Sequence, residues 1–298
     1  MAKYVIITDS SSDLTAENRE KYNVEYIPNR FYYKDEEYDA DLDWKSVPMD
    51  EFFDYLRAGN RILTSQISSL ACKETFEKWL KAGYDVLSIS CPGVLSATAK
   101  VFFHTRDELQ PQYPDRKIIS IDATVSSGGL RMLCIKAAML RQEGKTIDEV
   151  AAWVEENKKR VHQEGSVDNL SYLKRAGRIS AVSAFFGGLL HIKPMIISDV
   201  HGYNVAVEKV KGRKASIERT VERVIERYKP TDYPDIFVQH TACEEDAKTL
   251  KSMLQERLGL SEDKIHIGPV NTVMAASVGP GMFGVYFFGE EVTYDSKA

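Results

Sequence analysis

Between Lys3 and Val161 the chain alternates short β-rich runs with longer stretches of helical periodicity, and this alternation restricts the fold more than any other feature. Lys3–Thr8 (KYVIIT), Tyr84–Ser90 (YDVLSIS) and Lys117–Asp122 (KIISID) read as strands. Helical patterns end near Lys21 and Lys81, run from Leu95–Thr98 to about Leu109 and from Ser127 to Arg141, and close with an amphipathic stretch from Thr146 to Val161. Strands separated by helices pair through crossovers, which predicts a doubly wound, mostly parallel sheet. In such sheets ligands collect beyond the carboxyl ends of the strands. Asp9–Asp13 (DSSSD), Thr64–Gln66 (TSQ) and Ser90–Thr98 all fall there, so three hydroxyl-bearing loops are expected along one rim.

Ser96 stands at or next to a helix N-cap with the small Ala97 behind it, which leaves the unpaired first amides open to a carboxylate or phosphate. An ordinary cap has the same sequence. Asp9 at the end of a first strand suggests a phosphotransfer nucleophile, but Ser11 occupies the place of the second Asp such sites need. A turn-and-cap role is therefore expected for it. Val24–Tyr33 reads as extended, Lys34–Asp43 as an acidic surface flap, and Phe52, Phe53 and Leu56 as one face of a helix begun at Pro48.

The second half changes architecture. His191–Ser198 and Tyr203–Lys211 form an expected hairpin through Asp199–Gly202. Helices at about Ala215–Tyr228 and Glu244–Leu258, with strands at Asp235–Gln239, Lys264–Ile267 and Gly284–Phe288, complete an α+β domain. The expected division is an α/β domain over 1–163 and an α+β domain over 164–298, with the ligand between the two. Near the join, Lys174, Arg175 and Arg178 place three basic groups in five residues. Ser180 then reads as the N-cap of a short helix whose Phe185, Phe186, Leu189 and Leu190 make an apolar wall.

Other chemistries fail on context. Gly279–Gly284 satisfies G-x-G-x-x-G but leads into a strand, and Gly144-Lys145-Thr146 lacks the first P-loop glycine because Met139 stands there. The 4 cysteines are scattered and the 6 histidines show no H-x-x-x-H pair, so no metal and no cofactor are expected. A net charge of −5 argues against nucleic acid as the main partner. With no apolar run of about 18 residues, the chain is expected not to span a membrane, to make at most transient membrane contact, and to be cytoplasmic.

Seven pieces in register resemble the DegV family of bacterial fatty acid-binding proteins, the acyl-binding subunits of fatty acid kinase. They are Thr8–Asp13, Thr64–Gln66, Leu95–Thr98, Leu173–Ile179, Ile192–Pro194, Val210–Ala215 and Val278–Gly281. The resemblance implies a long-chain fatty acid whose carboxylate is held by Thr64 and Ser96, with Ser65, Ala97, Ser277 and Gly279 in the same ligand shell. It also implies that Arg175, with Arg178, faces an ATP-dependent kinase subunit to which the head group is presented, while the chain itself has no catalytic activity. Departures from the family pattern are Ser277 for a common His, Ala176-Gly177 for Gly-Gly, Ala97 in the S-G-T turn and Ile67 for Pro. The competing reading is an α/β hydrolase or transferase using Ser96, which would need a base beside the serine.

Overall fold

The computed structural model describes residues 3–179, 191–229 and 232–297, and the chain divides into two compact units that are not consecutive in sequence. The first comprises residues 1–46, 64–158 and 271–273; the second comprises 47–63, 159–270 and 274–298.

The chain order of the first half is β1 (Tyr4–Asp9), α1 (Ala16–Tyr22), β2 (Val24–Ile27), β3 (Arg30–Tyr33), β4 (Glu36–Asp39), α2 (Met49–Arg57), β5 (Leu63–Ser65), α3 (Ser69–Lys81), β6 (Asp85–Ser90), α4 (Thr98–Leu109), β7 (Ile118–Asp122), α5 (Gly128–Gln142) and α6 (Ile147–Asn157). In the first unit, β2-β1-β6-β7 form an all-parallel sheet. Every residue of β1 and β6 is buried, as expected of parallel strands covered on both faces. Val5, Ile7 and Val86 pack against Phe76 and Leu80 of α3 and Phe102 and Leu109 of α4, with the Phe76 and Phe102 rings stacked at 5.8 Å. Helices α5 and α6 cover the opposite face. The Ser68 hydroxyl caps α3 by accepting from Ala71 N, and Thr146 with Glu149 forms a capping box on α6. The acidic flap forms a small separate sheet, β4-β3-β5, in which the side chains of β4 face solvent.

The second unit adds β8 (Val161–Ser166), α7 (Ser171–Ala176), β9 (Ile192–Ser198), β10 (Asn204–Lys211), α8 (Arg213–Arg227), β11 (Ile236–His240), α9 (Glu244–Leu258), β12 (Ile265–Pro269), α10 (Thr272–Val278) and β13 (Phe283–Phe288). Its six-stranded sheet has the order β10-β9-β8-β13-β11-β12, antiparallel except between β11 and β12. Val221 and Val224 of α8 and Leu250 and Leu254 of α9 bury the face carrying Val238, Val285 and Phe287. Where the helical reading of Thr146–Val161 runs on, the structure stops α6 at Asn157 and starts β8 at Val161. Strand β8 (VHQEGS) is polar because Glu164, 2% exposed, is bonded to Arg223 at 2.6 Å and 3.3 Å. Burial pushes the Glu164 carboxyl up, against the opposing pull of Arg223.

Candidate functional site

At the carboxyl edge of the parallel sheet, short polar side chains from four segments interlock. Asp9, fully buried at the end of β1, accepts from Ser11 N at 2.8 Å and from Cys91 N at 2.9 Å. Burial raises its pKa, and these backbone donors oppose the rise. The carboxylate thus holds two loops together, in the turn-and-cap role expected of it. Beside it, Ser10 Oγ lies 3.1 Å from Asn29 Oδ1 and accepts from Asn29 N at 2.8 Å. Asn29 Nδ2 in turn donates to Thr98 Oγ1 at 3.0 Å. Ser96 Oγ sits 3.0 Å from that same Thr98 oxygen and accepts from Thr98 N at 3.3 Å.

Ala97, not Ser96, is the N-cap of α4, and one of the helix's first amides, that of Thr98, is already taken by the Ser96 hydroxyl. Thr64 and Ser65 lie in β5, which pairs in the small sheet and not in the parallel one. Their loop nevertheless reaches this edge, because Ile67 N approaches Thr98 Oγ1 at 3.5 Å. Thr64, Ser65 and Ser96 are half-buried and Ala97 is exposed. Thr98 and Asn29 are the residues that sequence reasoning passed over. Thr98 was within reach as the last residue of the Leu95–Thr98 piece, whereas Asn29 lies in a β2–β3 connection with no motif to flag it.

Two further carboxylates brace the same edge. Asp122 accepts from Gly93 N at 2.8 Å and Thr124 N at 2.9 Å, and a Cβ at residue 93 would stand 2.9 Å from its Oδ2. Asp13, in the left-handed region at φ 50, accepts from Asn271 N at 2.8 Å and Nδ2 at 2.5 Å and also bonds the Ser127 hydroxyl. No group of three His, Cys, Asp or Glu side chains able to hold a metal occurs among the described residues.

The second unit supplies the other expected residues. Ser277 is buried in α10, and Gly279 follows at φ +72, with its missing Cβ position only 2.4 Å from the Tyr172 ring. The Arg175 guanidinium lies 4.8 Å over that same ring, so Tyr172 joins Arg175 to Gly279. Arg178 instead turns back to donate to the Ala176 carbonyl. Lys193 and Arg213, from two of the recognised sequence pieces, converge on Asp168 at 2.7 Å and 3.2 Å, and Arg213 donates to Gly281 O at 2.7 Å. Tyr172 and Asp168 were not singled out in sequence, since single aromatic and acidic residues beside a basic run carry no pattern. Phe185, Phe186, Leu189 and Leu190, the expected acyl-chain wall, lie outside the described residues, as does Ser180. Within the described part of this unit, Leu173, Met274, Val278, Met282 and Tyr286 line a slot of about 30 Å³. Gly165 and Gly284, paired across β8 and β13, also line it, and a Cβ at residue 165 would fall 2.3 Å from Phe283 O.

The profile of the family described as "uncharacterised protein, DegV family" matches residues 3–290. The chain belongs to the DegV family. A DegV domain-containing protein of Clostridium perfringens is 34% identical over 97% of this chain and 99% of its own length. The solved DegV family protein from Thermus thermophilus, described by its fatty acid binding, is 26% identical with a TM-score of 0.84, covering 96% of this chain and 99% of its own. DegV from Bacillus subtilis shares the fold at a TM-score of 0.81 and 24% identity, over 97% of this chain and all 100% of that one. The DegV fold thus accounts for both sheets. No helix among the described residues is long and apolar enough to cross a membrane.

Proposed function

We propose that this DegV protein binds a long-chain fatty acid and presents the carboxylate to a separate, ATP-dependent kinase subunit, without catalysing a reaction itself. The observation that carries the reading is the interlocked row of neutral hydroxyl and amide groups around Ser96 and Thr98, at the sheet edge where such folds bind ligands. It is supported by the description of the Thermus thermophilus relative as a fatty acid binder. Thr64, Ser65 and Ser96 would donate to the carboxylate; Ala97, Ser277 and Gly279 would shape its surroundings.

The acyl chain would enter the slot bordered by Met274 and Met282. At about 30 Å³ the slot is narrow, and an acyl chain entering it would press these side chains aside. Methionine's three rotatable bonds suit that demand. Exposed Leu70 and Val94, 65% and 38% accessible beside the two hydroxyl loops in sequence, would allow transient contact with a lipid surface during loading. A nucleophilic role for Ser96 fits less well, because the group 3.0 Å from its hydroxyl is a threonine rather than a base.

Mass spectrometry of lipid extracted from the purified protein tests the ligand: a fatty acid is expected, and any other amphiphile, or none after incubation with fatty acids, would sink the proposal. The kinase role is tested separately with Arg175→Ala. Exposed on α7, Arg175 could hold phosphate oxygens bidentately. Its loss is expected to leave fatty acid affinity intact and to lower acyl phosphate formation when a DegV-dependent kinase and ATP are supplied. Normal turnover in the variant would remove Arg175 from that role.

A further inference from the structure

We infer that Ser10, Asn29 and Thr98 form a one-way hydrogen-bond relay that leaves the Ser96 hydroxyl as a donor only, and that this aimed donor makes the edge favour a charged acceptor, a carboxylate, over a neutral head group such as an alcohol. The inference rests on the fatty acid reading above and assigns three positioning residues to it.

A hydroxyl has one proton and two lone pairs, and its proton turns to whatever its neighbours leave open. Ser10 Oγ already accepts from Asn29 N at 2.8 Å, so its proton goes to Asn29 Oδ1, 3.1 Å away. That choice orients the amide, because Nδ2 can only donate, and it does so to Thr98 Oγ1 at 3.0 Å. Ile67 N, at 3.5 Å, approaches the same oxygen. The Thr98 proton then has Ser96 Oγ, at 3.0 Å, as its acceptor. Thr98 is fully buried, and among the described residues no other acceptor contacts its hydroxyl. The reverse direction would strand a buried proton, the costlier arrangement.

Ser96 Oγ thereby receives two donors, the Thr98 hydroxyl and Thr98 N at 3.3 Å, and keeps its own proton to give. The Cys91 thiol also lies beside it. Burial and the nearby Asp9 carboxylate hold that thiol well above its ordinary pKa, so it stays protonated. Its sulfur is a weak acceptor that a carboxylate oxygen would displace. A carboxylate accepts the Ser96 proton in a charge-assisted bond, whereas an alcohol can accept it only as a neutral group and gains less, its own proton finding no lone pair free on Ser96.

The test compares dissociation constants for a saturated fatty acid and the alcohol of equal chain length in the wild type, Thr98→Val, Asn29→Leu, Ser96→Ala and the Asn29→Leu/Ser96→Ala double variant. Thr98→Val is expected to weaken the acid about tenfold, the value of one hydrogen bond to a charged group, and the alcohol less than about twofold. Asn29→Leu should act likewise in the wild type and add nothing once Ser96 is alanine, the signature of coupling through one hydroxyl. Parallel losses for acid and alcohol, or an equal effect of Asn29→Leu on both backgrounds, would overturn the relay. Should Thr98→Val fail to fold, Thr98→Ser keeps the hydroxyl and must keep the acid-to-alcohol ratio; a lost ratio would overturn the relay as well. A wild-type protein that binds no fatty acid would instead remove the fatty acid reading itself, and the relay with it.

Discussion

The hydroxyl edge of the first unit and the apolar slot of the second are built from opposite materials. At the edge, Ser10, Asn29 and Thr98 are buried and bonded to one another in fixed directions, and Asp9 ties the supporting loops through two backbone amides. In the slot, Leu173, Met274 and Met282 line a small space over a glycine pair, while the polar lining residues Gln163 and Asn204 bond each other at 3.1 Å and leave the apolar side chains to dispersion contacts. A polar site is specific because each group has one satisfactory partner, whereas an apolar one is adaptable because dispersion and burial are non-directional. The head group should therefore be read strictly and the chain leniently.

A chain-length series challenges this contrast most strongly. Each buried methylene contributes about 0.8 kcal/mol, so affinity should climb roughly fourfold per added CH₂ until the slot is full. Titration of saturated acids of increasing length checks it, and a flat series would mean that the chain is not taken up by the protein. Next in size, Ser96→Ala or Thr64→Ala should weaken acid binding by about 1.5 to 3 kcal/mol and binding of the matching methyl ester by less. If acid and ester suffer equally, neither hydroxyl touches the carboxylate.

A pH series on Asp9→Asn sharpens the comparison on the side of the edge. Because burial raises the Asp9 pKa in the folded state, its contribution to stability is fully present below the ordinary carboxylate range and is lost as pH rises through the raised value. Denaturation midpoints of the wild type relative to Asp9→Asn should fall across that window, and parallel profiles would contradict the assignment. The smallest effect is expected at Arg175, whose exposed contact with Tyr172 contributes about 0.5 to 1 kcal/mol. A denaturant midpoint for Arg175→Ala shifted by several times that amount would show a structural load the exposed position does not suggest.

By itself the sequence determined the strands and helices whose patterns are local. β1, β6 and β7 are short apolar runs bounded by polar loops, and α3 and α6 announce their starts with Ser68 and Thr146. It also determined the DegV family through pieces such as Thr64–Gln66 and Leu95–Thr98. Other features were decided only by the tertiary structure. Strand β8 has no apolar period to reveal it, since Glu164 is tolerated there only because Arg223, 59 positions along the chain, arrives to pair with it. Short α7 buries only Leu173, and α10, although Thr272 and Ala275 to Val278 are buried, is about two turns long, so neither shows a helical period. Asn29 meets Thr98 across 69 residues, Asn271 meets Asp13 across 258, and Lys193 and Arg213 find each other at Asp168. Hydrophobic period and capping are properties of neighbours in sequence, whereas the direction of a hydrogen bond depends on every group that surrounds it, and those groups assemble only when the chain has folded.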